Sequence, residues 1–241
     1  MINITCFLWR RIYQGMQLPT AIDNYKVDHV INLHNMVKRN VTIPYTFTCI
    51  TDVPESIPDY INTVKLWDKC KFLGGCYNRL FIFDSIMKQV LGKRFICIDL
   101  DCVILGNIDH ILTRPEPFVI NKYHADLAYS PTHQFYNGGL ILQTAGIHKE
   151  LWEDFDYENS PKELEVRRAN KELCGSDQAW ISHKLGEGQP VFDEDDGVYD
   201  FRRLPDKDNP NTDSVRIVFF PGKRDPSQLV NRYQWVKDNW K

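Results

Sequence analysis

Ile2–Leu8 is dominated by apolar residues and reads as a first buried strand, with Trp9-Arg10-Arg11 as a loop at its carboxyl end. Val27, Val30, Ile31, His34 and Val37 recur at helical spacing, which predicts an amphipathic helix over Asp23–Lys38. Pro44 stops any helix, Tyr45–Ile50 forms a second strand, and Thr51-Asp52-Val53-Pro54 is a turn. Val64-Lys65-Leu66 reads as a third short strand. Leu80, Phe83, Ile86, Met87 and Val90 share one face of a helix expected over Tyr77–Leu91, with Gly92 as its stop. Phe95–Leu100 is the central strand. The second half is less regular. Strands are expected at Phe118–Asn121, Leu140–Gln143 and Val215–Phe220, and helices at Ile147–Phe155 and Ser176–Leu185. Segments 156–172 and 186–213 are charged and rich in turn formers, which predicts surface loops or lids. Leu229–Lys241 carries Tyr233, Trp235, Val236 and Trp240 and is expected to pack as a short helix.

Strands alternating with helices up to about residue 105 imply a parallel, doubly wound α/β sheet. Ligands of such sheets gather beyond the carboxyl ends of the strands. Trp9, Asp52, Asp99 and Asp101 all follow predicted strands, so they are expected on one rim.

The 241 residues suit one large domain, and a hydrophobic fraction of 43% is that of an ordinary globular chain. A net charge of −3 advertises no global field for nucleic acid, although a local basic groove stays open. The seven cysteines form no CxxC pair and read as buried thiols of a reducing compartment. Cys70 and Cys76 flank Gly74-Gly75 like a zinc half-site, but no matching pair follows. Met1–Trp9 has neither a basic leader nor a small-residue cleavage site, and no apolar run reaches the length of a membrane span. The expectation is a cytoplasmic protein without a transmembrane segment. The sequence does not fix its oligomeric state.

The chemistry centres on Arg94–Gly106, RFICIDLDCVILG. Asp99 and Asp101 are two apart on an extended chain and point to one side. Capping a turn would account for one aspartate. Two inside so apolar a run are costly to bury, and a hard divalent cation is the natural compensation. Such a cation holds a diphosphate and stabilises it as a leaving group. In Tyr136-Asn137-Gly138-Gly139-Leu140 the glycines allow close backbone approach and Asn137 offers a donor and an acceptor, with a plain turn as the alternative. Ser176 fits the cap of the helix that follows, and Asp177 and Gln178 then fall in its first turn. Arg79 reads either as a phosphate or sugar ligand or as a solvated arginine. Phe219-Phe220-Pro221-Gly222-Lys223-Arg224 reads as a phosphate clamp or a basic turn.

In this order, the pieces resemble the GT-A glycosyltransferases, and within them the glycogenin-like retaining enzymes and their bacterial and phage relatives, over Ile4 to about Pro226. Val30–Asp52 is similar to the family's helix, strand and turn before the donor site, and Cys76–Phe83 to the segment whose basic residue touches the donor, here Arg79. Asp99-Leu100-Asp101 is similar to its DxD metal motif. Asn137-Gly138-Gly139 is similar to its sugar-facing Asn-(Ser/Ala/Gly)-Gly, and Asp177-Gln178 to its sugar-contacting acid and glutamine. The resemblance implies a GT-A type, Rossmann-like mixed sheet flanked by helices, in a single domain of residues 1–241. Residues 1–105 would bind nucleotide, and 106–241 sugar and acceptor. It implies a UDP-hexose donor, Mn2+ or Mg2+ on Asp99 and Asp101, and donor contacts from Leu8, Trp9, Arg79, Leu100, Asn137, Gly138, Gly139 and Lys223. Asp177 and Gln178 would be the catalytic pair, with retention of configuration. The family closes its site with a histidine that is a further metal ligand. FFPGKRDP stands there instead, which leaves Asp225 as a substitute oxygen ligand. The acceptor is open: a glycan, a lipid-linked sugar, a protein side chain or a modified DNA base. Nucleotidyl transfer and non-catalytic nucleotide-sugar binding are the alternatives.

Overall fold

The computed structural model describes residues 1–9, 12–13, 16–17, 25–67, 70, 74–125, 130–222 and 224–241. Strand β1 (Ile2–Leu8) leads to a short hairpin, β2 (Ile12–Tyr13) and β3 (Met16–Gln17), then to helix α1 (Val27–Asn40), β4 (Tyr45–Thr51) and β5 (Asn62–Lys65). A short helix α2 (Met87–Val90) precedes β6 (Arg94–Ile98), β7 (Cys102–Ile104), α3 (Asp109–Leu112), β8 (Phe118–Lys122) and β9 (Tyr136–Thr144). Helices α4 (Glu150–Glu153), α5 (Ser160–Ala169) and α6 (Asp177–Leu185) follow. The chain then runs through β10 (Val191–Phe192), β11 (Val198–Asp200), β12 (Ile217–Phe219), α7 (Pro226–Leu229) and α8 (Gln234–Asn239).

Seven strands form the main sheet in the order β10-β8-β9-β6-β1-β4-β5. Strands β6, β1, β4 and β5 are parallel, and β9 runs antiparallel to both β6 and β8. Alternation along each strand divides the core between two faces. Ile4, Cys6, Leu8, Ile96, Ile98, Leu140 and Leu142 pack with Leu33, Met36 and Val37 of α1. Phe7, Phe95, Cys97 and Ile141 pack on the other face with Leu80, Phe81 and Trp180. The small sheet β11-β12-β7 extends the first face, and Trp235 stacks there on Phe220 and Phe201. All seven cysteines are free thiols, and five of them are buried. Among the described residues, no helix is long and apolar enough to cross a membrane.

Several expectations need correction. The helix expected over Tyr77–Leu91 is a 3-10 helix over Tyr77–Phe83, followed by α2. Asp84 breaks it: its backbone is extended and its carboxylate accepts from the Ile86 amide at 2.9 Å, competing with helical pairing. The helix expected over Ile147–Phe155 shrinks to α4, because His148 adopts a left-handed φ of 55°. Conversely, the supposed loop 156–172 contains α5, in which Leu164 is the buried apolar anchor. One such residue in so polar a stretch leaves no periodic signal.

Candidate functional site

The carboxyl ends of β1 and β6 open onto a cavity of about 400 Å³. Trp9 and Phe7 line one side of it. The Trp9 indole N–H donates to the Asn78 side chain at 3.1 Å once that amide is turned to satisfy both its neighbours. Asp99 and Asp101 follow β6 directly and face the same space, as expected. Asp52 directly follows β4, whose Thr51 pairs with Leu8, so it shares the rim but does not line this cavity.

Strand direction brings the second constellation in. Because β9 is antiparallel, its beginning meets the end of β6, and the Asp99 amide donates to the Gly139 carbonyl at 2.8 Å. The pairing of β8 with β9 jumps from Ile120↔Ile141 to Asn121↔Asn137, so Gly138, Gly139 and Leu140 bulge out of that ladder. The Asn137 side-chain oxygen accepts from the Gly139 amide at 2.7 Å, and Asn137 lines the cavity. Gly138 has a steric reason to be glycine: a Cβ there would collide with Arg79 Nη1 and Asp177 Oδ2.

Arg79 ties the site together. The 3-10 helix carries it beneath the rim, where its guanidinium contacts Asp99 at 2.6 Å and Asp177 at 2.8 Å. Arg79 is 7% exposed and Asp177 3%, so this is a buried ion network, not a solvated arginine. Burial works against the arginine's charge, but Asp177 and Asp99 outweigh it and hold its pKa above the ordinary value. Arg79 Nε remains buried without a hydrogen-bond partner. Ser176 is at the N-cap of α6, yet its hydroxyl makes no cap bond; it accepts from the Cys76 amide at 2.9 Å, fastening α6 to the 3-10 segment. The Gln178 side-chain amide donates to the Cys174 carbonyl at 3.2 Å and borders the cavity.

Among the described residues, the site is short of unpaired positive charge. The buried Arg79 guanidinium faces three carboxylates, Asp99, Asp101 and Asp177, while Arg202, which also lines the cavity, is paired with Asp200 at 2.5 Å. Removal from water, and then the Asp99 charge, push the Asp101 carboxyl up to about 8. The Tyr25 hydroxyl hydrogen-bonds Asp101, and burial beside these carboxylates raises the phenol's own pKa. A divalent cation fits this donor set and would relieve the repulsion. Among the described residues, no group of three or more His, Cys, Asp or Glu side chains is arranged to hold a metal by itself. Two carboxylates completed by substrate phosphates and water are a normal donor set for Mg2+.

Neither the models of known protein families nor the curated proteins yield a match to this chain.

Two expected site residues are placed otherwise, and a third lies outside the described residues. Leu8 is buried in the core, and Phe7 lines the cavity in its stead. Asp225 is 4% exposed and turned away: it accepts from the Ser227 amide at 2.7 Å and bonds His29 Nε2 at 3.0 Å. Burial alone would raise the Asp225 pKa, but those hydrogen bonds prevail and lower it. Asp225 is therefore not a third ligand in this arrangement. Lys223 lies outside the described residues. Leu100 lines the cavity. Sequence reasoning missed Tyr25, Tyr123 and Cys174, which also line it, whereas Arg202, read with Arg203 as either a contact for an anionic acceptor or a solvated face, lines it too. Arg202 had a signal, as one of two adjacent arginines in a loop. Tyr25 had none, since the pattern placed it inside the expected helix over Asp23–Lys38, which starts only at Val27.

Proposed function

We propose that this chain is a metal-dependent glycosyltransferase of GT-A type that moves a hexose from a UDP-sugar to an acceptor. The observation that carries this reading is the charge deficit at the rim among the described residues: Asp99 and Asp101 beside the buried Arg79 guanidinium, with Arg202 already paired to Asp200, in a cavity shared with Asn137, Asp177 and Gln178. The cation, held by Asp99 and Asp101, would neutralise the departing diphosphate. Trp9 and Phe7 offer aromatic surface to the base. Arg79 fixes the Asp99 and Asp177 carboxylates. Asn137 and Asp177 present polar atoms for sugar hydroxyls, and Gln178 lies under the sugar. A glutamine amide is a poor covalent nucleophile, so attack from the face that the diphosphate leaves, with a phosphate oxygen taking the acceptor's proton, accounts for retention. The antiparallel strand set into an otherwise parallel sheet makes the sheet a mixed one, as the resemblance to GT-A enzymes implies.

Donor binding without transfer is the second reading. It is favoured by the commitment of Asp225 to His29, which leaves two protein carboxylates for the cation. Both readings predict that UDP-hexoses raise the melting temperature only when Mn2+ is present, by mass action on the native state. Release of UDP with an acceptor panel, lost in Asp101→Asn, distinguishes transfer from binding. A shift that is the same with and without Mn2+ overturns both.

A further inference from the structure

Tyr25 belongs to a linked set of groups that reaches from the carboxyl-terminal region to the acidic pair. His29, 3% exposed, sits in the first turn of α1. The Lys26 amide donates to its Nδ1 at 3.1 Å, which leaves Nε2 as the donor toward Asp225 at 3.0 Å. Asp225 is pinned in turn by the Ser227 amide at the start of α7. The imidazole is held edge-on between two rings, Trp240 at 5.2 Å and Tyr25 at 5.5 Å between centroids. The Tyr25 hydroxyl then meets the Asp101 carboxyl at the cavity wall. A histidine and an aspartate buried 196 positions apart thus fix the ring that touches the candidate metal ligand.

We propose that Tyr25 is a positioning residue that orients the Asp101 carboxylate toward the cation, and that the His29–Asp225 pair sets Tyr25 in place. This rests on the reading of Asp99 and Asp101 as a metal site. It gives the FFPGKRDP segment a task without making it a ligand: Asp225 acts on the metal site through two intervening side chains. Outer partners of metal-binding carboxylates shape affinity by orienting the ligand atom, and losing one typically costs about 10- to 100-fold.

The test measures Mn2+ affinity directly, by electron paramagnetic resonance of the free ion, in the wild type and in Asp101→Asn, Tyr25→Phe, Asp225→Asn and the Tyr25→Phe/Asp225→Asn double variant. Metal-free melting curves accompany each to show that it folds. The expected result is that Tyr25→Phe weakens Mn2+ binding about tenfold. Asp225→Asn should weaken it in the wild-type background and add nothing once Tyr25 is phenylalanine, because both act along one path. Unchanged Mn2+ affinity in folded Tyr25→Phe, while Asp101→Asn abolishes binding, overturns the inference and leaves the metal site standing. Additive losses in the double variant overturn the link through His29. If Asp101→Asn binds Mn2+ as the wild type does, or the wild type binds none, the metal site falls and this inference with it.

Discussion

Asp101 is the residue on which most of the chemistry turns, and its protonation has a measurable consequence for folding. Its carboxyl is pushed up to about 8 in the native chain, whereas an unfolded aspartate titrates near 3.9. Between those values the native state keeps a proton that the unfolded state has released. Stability from this group is therefore complete below about pH 4 and is lost as the pH climbs through about 8. Asp101→Asn removes the gradient. We expect the metal-free variant to be more resistant to urea than the wild type at pH 8, and the two to converge near pH 4. Unfolding curves in a chelating buffer across that range check this; parallel behaviour at every pH refutes it. The acidic pair was legible in the sequence because two charges interrupted an apolar strand. The partner of Asp225 was not legible, because His29 lies at the other end of the chain and only tertiary folding joins them.

Among the elements, strands read more clearly than helices. Strand β1 matches its expected span to the residue, since both sheet faces are covered and only Asn3 and Thr5 interrupt the apolar run. Helices failed where a local backbone preference opposed the periodic pattern, as at Asp84 and His148. The junction before α6 is a subtler case. Spacing assigns Ser176 to its own helix, while the structure spends its hydroxyl on the Cys76 amide across 100 positions. Ser176→Ala should therefore cost about 1–2 kcal/mol by orphaning that amide, without reducing helix content. Chemical denaturation gives the first quantity and far-ultraviolet circular dichroism the second. A drop in helical signal would return the serine to a capping role.

For the molecule as a whole, the carboxyl-terminal aromatics bind the small sheet to the main core. The Trp235 indole donates to the Lys207 carbonyl at 2.8 Å and its ring stacks over Phe220, next to the cavity-lining Phe219. Replacing Trp235 with alanine should cost about 3–5 kcal/mol, in a single cooperative transition followed by urea. Two separate transitions would show that this region folds as an independent unit. The three-residue excursion of β9 beside β8 carries a different kind of consequence. Asn137 owes its place at the rim to those surplus positions, since the ladder resumes with it only after they have been skipped. Deleting one would advance the start of the strand by a step and send that amide to the opposite face of the sheet. The hydrophobic layers further along would keep their partners. Small length changes at this spot would thus alter what the pocket holds while leaving the fold intact, a route by which descendants of such a chain could acquire new ligands.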